Sequence, residues 1–406
     1  MKHARVVIGS SFGDEGKGLM TDYFTRQYGG SGVLVVRFNG GAQAGHTVVA
    51  EGDVRHVFSH FGAGSLAGAG TLLSRHFIAN PILFQREHGE LARLGVDPRI
   101  HVDPRALVTT PYDMLINEMV EASRGAARHG SVGLGINETV TRGAEPRLRL
   151  TVGQALRDPA AAAAMLRRIR DAWVPRRVAQ LGIEAACETH AELIGSGALM
   201  ENWLAVLDEF LGRVEVRPDH DVLREHDDVV FEGAQGLALD QDRGTFPHVT
   251  RSHTGVRNVV ELMSELPPAE TAVTYATRAY LTRHGAGPLD GELADKPFPG
   301  VYDLTNVPHA FQGRLRYALL DVTALQARIT QDFGDVAALG RTAGIRMGVA
   351  VTCLDQLPAA ARWTCEGEAM DGSPDDLVHA IRRHLPGELL VSRGPRAGDV
   401  AAACGA

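Results

Sequence analysis

The chain opens with an apolar run, Val6-Val7-Ile8, that breaks into IGSSFGDEGKGL at residues 8–19. Gly9, Gly13, Gly16 and Gly18 fall in this stretch with Lys17 among them, and Leu19, Met20, Tyr23 and Phe24 follow at helical spacing. The order predicts a buried strand, a glycine-rich turn and the start of a helix, which commits the chain to an α/β fold. Glycines let backbone N–H groups wrap an anion, and a helix N-terminus adds a favourable dipole. The loop therefore predicts a nucleoside triphosphate, with Gly13, Gly16, Lys17 and Gly18 around it. Asp14 and Glu15 exceed what a phosphate cradle needs. A carboxylate beside a phosphate site binds a metal, takes a proton, or does both.

The loop is not a standard P-loop. Six residues separate Gly9 from Gly16, and Gly18 follows Lys17 where Ser or Thr would reach a metal. The plain alternative is a tight strand-to-helix turn carrying a solvated acidic pair.

A chain of 406 residues can bury a large core. Short apolar runs alternate with helical patterns, which predicts a large, mainly parallel sheet flanked by helices. Strands are expected at 5–8, 32–37, 229–231, 272–275 and 346–352, and helices at 115–121 and 199–211. The Ala/Arg-rich stretch at 155–185 reads as an exposed helix pair. No linker composition interrupts the chain, so one domain over 1–406 is expected, with helical insertions at about 100–220. The tail from Ala397 reads as poorly ordered. A net charge of −8 argues against a nucleic-acid partner. No apolar run is long enough to span a membrane. Cys187, Cys353, Cys365 and Cys404 show no metal-ligand spacing, and the N-terminus shows no signal-peptide pattern, so a cytoplasmic protein is expected.

Two further clusters carry chemistry. RFNGGAQAGHT at 37–47 ends a strand in a Gly-Gly turn and then presents Gly45, His46 and Thr47. A lone histidine is usually a satisfied core residue. Its place after a strand end, where open α/β sheets bind ligands, points instead to a general acid or electrostatic role. FEGAQGLALDQDRGTFPHVT at 231–250 sets Gln235 between glycines, where an amide can read a planar heterocycle or a phosphate. Asp240, Asp242, Gly244 and Pro247 read as turn formers.

Together these pieces resemble the adenylosuccinate synthetase family. RAYLTRHGAGP at 278–288 resembles that family's KAYxTRVGAGP segment, and the likeness covers roughly residues 4–355, with an echo at 392–395. The resemblance implies a ligase that joins L-aspartate to C6 of IMP, driven by GTP and Mg²⁺, and acting as a homodimer. It implies that Asp14 is the base at N1 and a Mg²⁺ ligand together with the Gly45 carbonyl. It places His46 and Lys17 at phosphoryl transfer, and Glu15, Thr47, Asp355, Ser392 and Gly394 among the triphosphate-binding residues. Gln43, Ser131, Arg142, Gln235 and Thr250 match positions at the acceptor nucleotide, Arg142 as an arm reaching across a dimer interface. Arg314 and Arg316 match the clamp on aspartate.

Departures cluster around the ligands. The family's His-Asn pair before Ala-Gly-His is Ala42-Gln43 here, and its GTTGRGIGPAY loop becomes GSVGLGIN at 130–137. The VTTGRRRR run becomes NVPHAFQGRLRY at 306–317, and TKLD becomes Thr352-Cys353-Leu354-Asp355. The chemistry is expected to be kept, with acceptor and triphosphate open: IMP with GTP, or dGMP with ATP as in a viral branch, or another oxo-substrate. A nucleotide-binding regulator without turnover is the reading from a different class, and the retained Asp14, Lys17 and His46 count against it.

Overall fold

The computed structural model describes residues 1–125, 128–131, 133–306, 313–339 and 344–403. Ten strands form the central sheet: β1 (His3–Gly9), β2 (Leu34–Arg37), β3 (Gly70–Leu73), β4 (Ile100–Val102), β5 (Glu215–Val216), β6 (Asp228–Gly236), β7 (Glu270–Arg278), β8 (Ile345–Thr352), β9 (Glu388–Ser392) and β10 (Val400–Ala402). Their spatial order is β10-β9-β8-β7-β1-β6-β2-β3-β4-β5. Every pairing is parallel except β9 with β10. The expected α/β architecture is the one found.

The five strands legible in the sequence are β1, β2, β6, β7 and β8, and these are neighbours at the centre of the sheet. Central parallel strands are covered on both faces and read as continuous apolar runs. In register, Val6 of β1 stands beside Phe231 of β6 and Val273 of β7, all fully or almost fully buried. The glycine-rich loop thus leaves the carboxyl end of the middle strand, where adjacent strand ends open a crevice. Helix α1 (Lys17–Gln27) follows it, entered through Gly16 in the left-handed region at φ 86°. A Cβ on Gly16 would lie 2.8 Å from Thr352 Cγ2, so the loop passes β8 at a separation only glycine allows.

Beyond the β4–β5 edge, helices Pro111–Arg124, Pro159–Arg168, Val174–Leu181 and Gly197–Arg213 pack around Trp173, Trp203 and Phe210. The expected exposed pair at 155–185 is amphipathic. A π turn at Ile169–Trp173 joins two helical pieces and turns Trp173 inward. Its arginines serve the chain itself: Arg177 meets Glu138 at 2.7 Å, and Arg176 meets Glu145 at 2.6 Å.

The expectation of a disordered tail from Ala397 is corrected. Residues 397–399 form a short turn and β10 then pairs with β9 through Leu390, Val391 and Ser392. Backbone groups on an open sheet edge recruit a strand whatever its composition, and Val400 is buried in doing so. Cys404 lies outside the described residues. No helix among the described residues is long and apolar enough to cross a membrane.

Candidate active site

The loops after β1, β2, β8 and β9, with Arg278 at the end of β7, surround a cleft of about 410 Å³. Its walls carry Gly13, Asp14, Glu15, Gly16, Lys17 and Gly18 from the first loop and Gly45, His46 and Thr47 from the second. Asp355 and Gly394 close the far end. Twelve candidates were expected at the triphosphate or the reacting centre, and eleven line this one cleft. Ser392, the twelfth, stands behind the wall, where its Oγ donates to the Gly394 carbonyl at 2.5 Å and shapes the turn.

Asp14 offers its carboxylate to the cleft, with His284 Nε2 at 3.8 Å as its neighbour. Its carbonyl accepts from Arg278 Nε. Glu15 and Lys17 behave differently from expectation. Lys17 is 2 % exposed and its Nζ donates to the Gly13 carbonyl under the loop. The Glu15 carboxylate also turns inward, accepting from Ser10 Oγ at 3.1 Å and from Gly13 N at 3.2 Å. The Glu15 side chain therefore supports the loop from below. Burial raises the Glu15 carboxyl above its ordinary range, opposed by Lys17, and burial lowers the Lys17 ammonium, opposed by Glu15 and Asp14.

His46 sits at the start of a hairpin, His46–Val49 with Arg55–Phe58. Its Nδ1 is 2.6 Å from Glu232 Oε1, and its buried Nε2 has no partner among the described residues. Glu232 Oε2 accepts from Ala63 N at 3.0 Å, with Arg37 Nε at 3.9 Å. Burial pushes the His46 imidazole down to about 4, against the pull of Glu232. The neutral ring then donates from Nδ1 and leaves Nε2 as a lone pair. Burial would raise the Glu232 carboxyl, but His46 and Arg37 outweigh it and hold it below its usual range.

A strap crosses the cleft mouth at residues 303–306. Arg278 Nη2 meets Asp303 Oδ2 at 2.6 Å, and Asp303 Oδ1 accepts from the backbone of Thr305 and Asn306. Thr305 Oγ1 lies 2.7 Å from Thr47 Oγ1 and accepts from Arg55 at 2.6 Å. One arginine thus ties the Asp14 carbonyl to the strap.

The acceptor candidates gather on the other side of the loop. Gln235, at φ 61°, ends β6 beside Gly13, whose Cβ would lie 3.1 Å from Gln235 Cα. Asn39 locks the second loop to β6 through both the N–H and the carbonyl of Ala234. Both amide atoms of Gln43 are buried without a partner among the described residues. Gly40 N donates to Ser252 Oγ at 3.1 Å, which brings the Thr250 segment alongside. Ser131 accepts from Asn117 at 2.8 Å, and its loop touches the 285–287 turn through Ala286 N and the His129 carbonyl.

Two expectations need correction. Arg142 is fully buried in its own chain. Its guanidinium forks onto Asp113 at 2.8–3.2 Å and donates to the carbonyls of Leu148 and Val108. An arm already committed to a core carboxylate cannot reach a partner's nucleotide. Arg316 is half engaged: it pairs with Glu292 and donates to the Gly285 and Gly287 carbonyls at 2.9 Å. Arg314 is exposed, and the segment 307–312 before it lies outside the described residues. No two-arginine clamp is assembled.

Sequence reasoning missed Glu232, Asp303 and Thr305, and quoted Arg278 and His284 without giving them work. Glu232 had a signal, a carboxylate inside the apolar strand VVFEGA. Asp303 and Thr305 had none, since their roles come from a chain crossing remote in sequence.

A parallel sheet whose central strand ends in a glycine-rich loop, with Asp14 and His46 lining one cleft, has the layout of an α/β enzyme with its site at the carboxyl ends of the strands. The comparisons narrow the class. The adenylosuccinate synthetase family pattern matches residues 6–377, so the chain belongs to the adenylosuccinate synthetase family. It is 31 % identical over 336 residues to the adenylosuccinate synthetase of Xanthomonas campestris pv. campestris, covering 81 % of this chain and 74 % of that one. It is 30 % identical over 396 residues to that of Polynucleobacter necessarius, covering 92 % and 81 %. Among solved structures, fully ligated adenylosuccinate synthetase from Plasmodium falciparum superposes with a TM-score of 0.75 at 18 % identity, covering 98 % and 99 %. The succinoaminodeoxyadenylate synthetase of cyanophage S-2L, bound to dGMP and dATP, superposes with 0.63 at 16 % identity, covering 99 % and 95 %. At those identities the structures speak for the fold. The protein is a ligase of the adenylosuccinate synthetase type, a family of purine biosynthesis.

Proposed function

We propose that this ligase joins L-aspartate to C6 of a purine nucleotide, IMP in the first place, with GTP as phosphoryl donor. One observation carries the reading: Asp14, Lys17 and His46 stand in a single cleft at the end of β1. The 6-oxo group is a poor leaving group. Asp14 takes the N1 proton, so that O6 becomes nucleophilic and attacks the γ-phosphorus. The O6–P bond forms as the bond to the β-phosphate oxygen breaks. Lys17 swings out from Gly13, and with His46 and the loop amides it offsets the transferring charge. The aspartate amine then adds at C6 and phosphate departs with O6. Gln43, Ser131, Gln235 and Thr250 hold the acceptor, while Thr47, Asp355 and the 392–394 turn hold the donor.

The Asp14 carboxylate and the Gly45 carbonyl at the cleft are hard oxygen donors, the set Mg²⁺ prefers. A Mg²⁺ held by these two groups would neutralise phosphate charge. The reading keeps the family's homodimer and a cytoplasmic setting, with Arg142 excluded from any shared site.

A second donor, ATP, is favoured by the base pocket. Cys353 stands where the family has lysine, beside Asp355, so the wall that sets GTP against ATP differs. The test is phosphate release and product mass across IMP, GMP and dGMP, each with GTP or ATP, Mg²⁺ and L-aspartate. Aspartate-dependent release with IMP and GTP is expected. Release only with dGMP moves the acceptor, and silence throughout removes the proposal.

A further inference from the structure

Two arginines on the far side of the glycine-rich loop lack an acidic partner. Arg283, ending the strand Tyr280–Arg283, is 3 % exposed. It donates to the Pro288 carbonyl at 2.6 Å and the His248 carbonyl at 3.4 Å, and its buried Nε has no partner. Its guanidinium lies 4.6 Å from the ring centre of Phe12. Arg328, on the helix Val322–Gly334, donates to the Ser10 carbonyl at 3.1 Å and Ser11 Oγ at 3.0 Å. Among the described residues no carboxylate oxygen comes within the 4.0 Å of an ion pair with either one. Burial and nearby Arg316 push Arg283 down to about 10, and burial lowers Arg328 despite distant Glu15, Asp321 and Asp290.

A buried cation without a counter-ion is costly, and proteins normally pair it. Both arginines line a cavity of about 340 Å³, shared with Thr245 and Gln331. Arg243 and Asp332 on its wall are already joined at 3.0 Å, and Asp290 is an exposed acid at the rim. We infer that this cavity is an oxyanion site in which Arg283 and Arg328 take a phosphate group, free or carried by a small phosphomonoester. Two guanidiniums on one cavity wall, with Thr245 and Gln331 also on its lining, suit a tetrahedral, doubly charged acceptor. The cavity shares no lining residue with the cleft of Asp14, Lys17 and His46, and the proposal does not rest on the ligase reading. It bears on the same loop from beneath, since Phe12, Ser10 and Ser11 run directly into Gly13 and Asp14.

The test is calorimetric titration of the full chain at fixed ionic strength, with inorganic phosphate in one arm and ribose 5-phosphate in the other. Lys17→Gln, which disables the nucleotide loop, is expected to keep phosphate binding. Arg283→Gln and Arg328→Gln are expected to weaken it by about tenfold or more. Ala238→Phe fills the cavity, leaves both arginines in place, and is expected to abolish binding even where an arginine variant fails to fold. The tighter arm identifies the source as free phosphate or ester. Binding that is lost in Lys17→Gln, or that survives unchanged in Ala238→Phe, overturns the assignment. So does absence of binding to the unmodified chain at about 10 mM phosphate.

Discussion

Asp14 touches little that holds the protein together: its carboxylate has His284 at 3.8 Å, and only its backbone carbonyl is bonded to Arg278. Asp14→Asn is therefore expected to leave thermal unfolding unchanged and to lower kcat by roughly 10²–10⁴-fold or more. Turnover near the unmodified rate would remove Asp14 as the base. His46 makes a second prediction. Its folded-state pKa of about 4 lies below the free value, so the unfolded chain takes up the proton first as pH falls. Stability tied to this ring is present above pH 6.5 and is lost by about 3 kcal/mol as pH falls to 4. Imidazole NMR on chelator-treated protein should show a neutral ring, protonated at Nδ1, down to about pH 4. A titration near 6.5 would contradict the buried His46–Glu232 pair. Glu232 explains why a histidine expected to act on phosphate is held so firmly, although no motif singled it out.

The elements matter through their close approaches. Gly236 at the end of β6 passes the first loop so tightly that a Cβ would lie 2.5 Å from the Ser11 carbonyl oxygen and 2.9 Å from Gly13 N. Gly236→Ala should cost about 1–3 kcal/mol of stability in a denaturant titration, and should disturb the phosphate loop that Gly236 supports. The strap makes a sharper prediction. Asp303 and Arg278 are both mostly buried, and Arg278 holds the Asp14 carbonyl. Asp303→Ala leaves that arginine unpaired, with an expected loss of about 3–5 kcal/mol. A loss below about 1 kcal/mol would show that the pair is not a structural link. The elements also show where sequence reading reaches. The five central strands were legible because two-sided burial writes an unbroken apolar run. β3, β4, β5 and β9 were not singled out, and β10 was read as disorder because an edge strand of Val-Ala-Ala is held by backbone pairing alone. Arg142 was misplaced for a related reason: its partner Asp113 lies 29 residues away, and nothing local marks the pair.

On the scale of the whole molecule, the fold gathers loops from residues 13–18, 45–47, 303–306, 352–355 and 394–395 into one cleft. The first two were readable because glycine spacing and a misplaced charge advertise a ligand. The strap and the Glu232 support were unreadable because they exist only after long-range closure. On the proposed reading, the retained groups around this centre move protons and phosphate, while the changed positions, Gln43, Cys353 and the 306–317 run, select ligands. The measurement that tests this most directly uses a purine nucleotide labelled with ¹⁸O at the 6-oxo position, together with triphosphate, Mg²⁺ and L-aspartate. If O6 attacks the γ-phosphate and leaves with it, the label appears in the released phosphate and the product carries aspartate nitrogen at C6. Unlabelled phosphate, with the label still on the purine, would contradict phosphoryl activation of the acceptor.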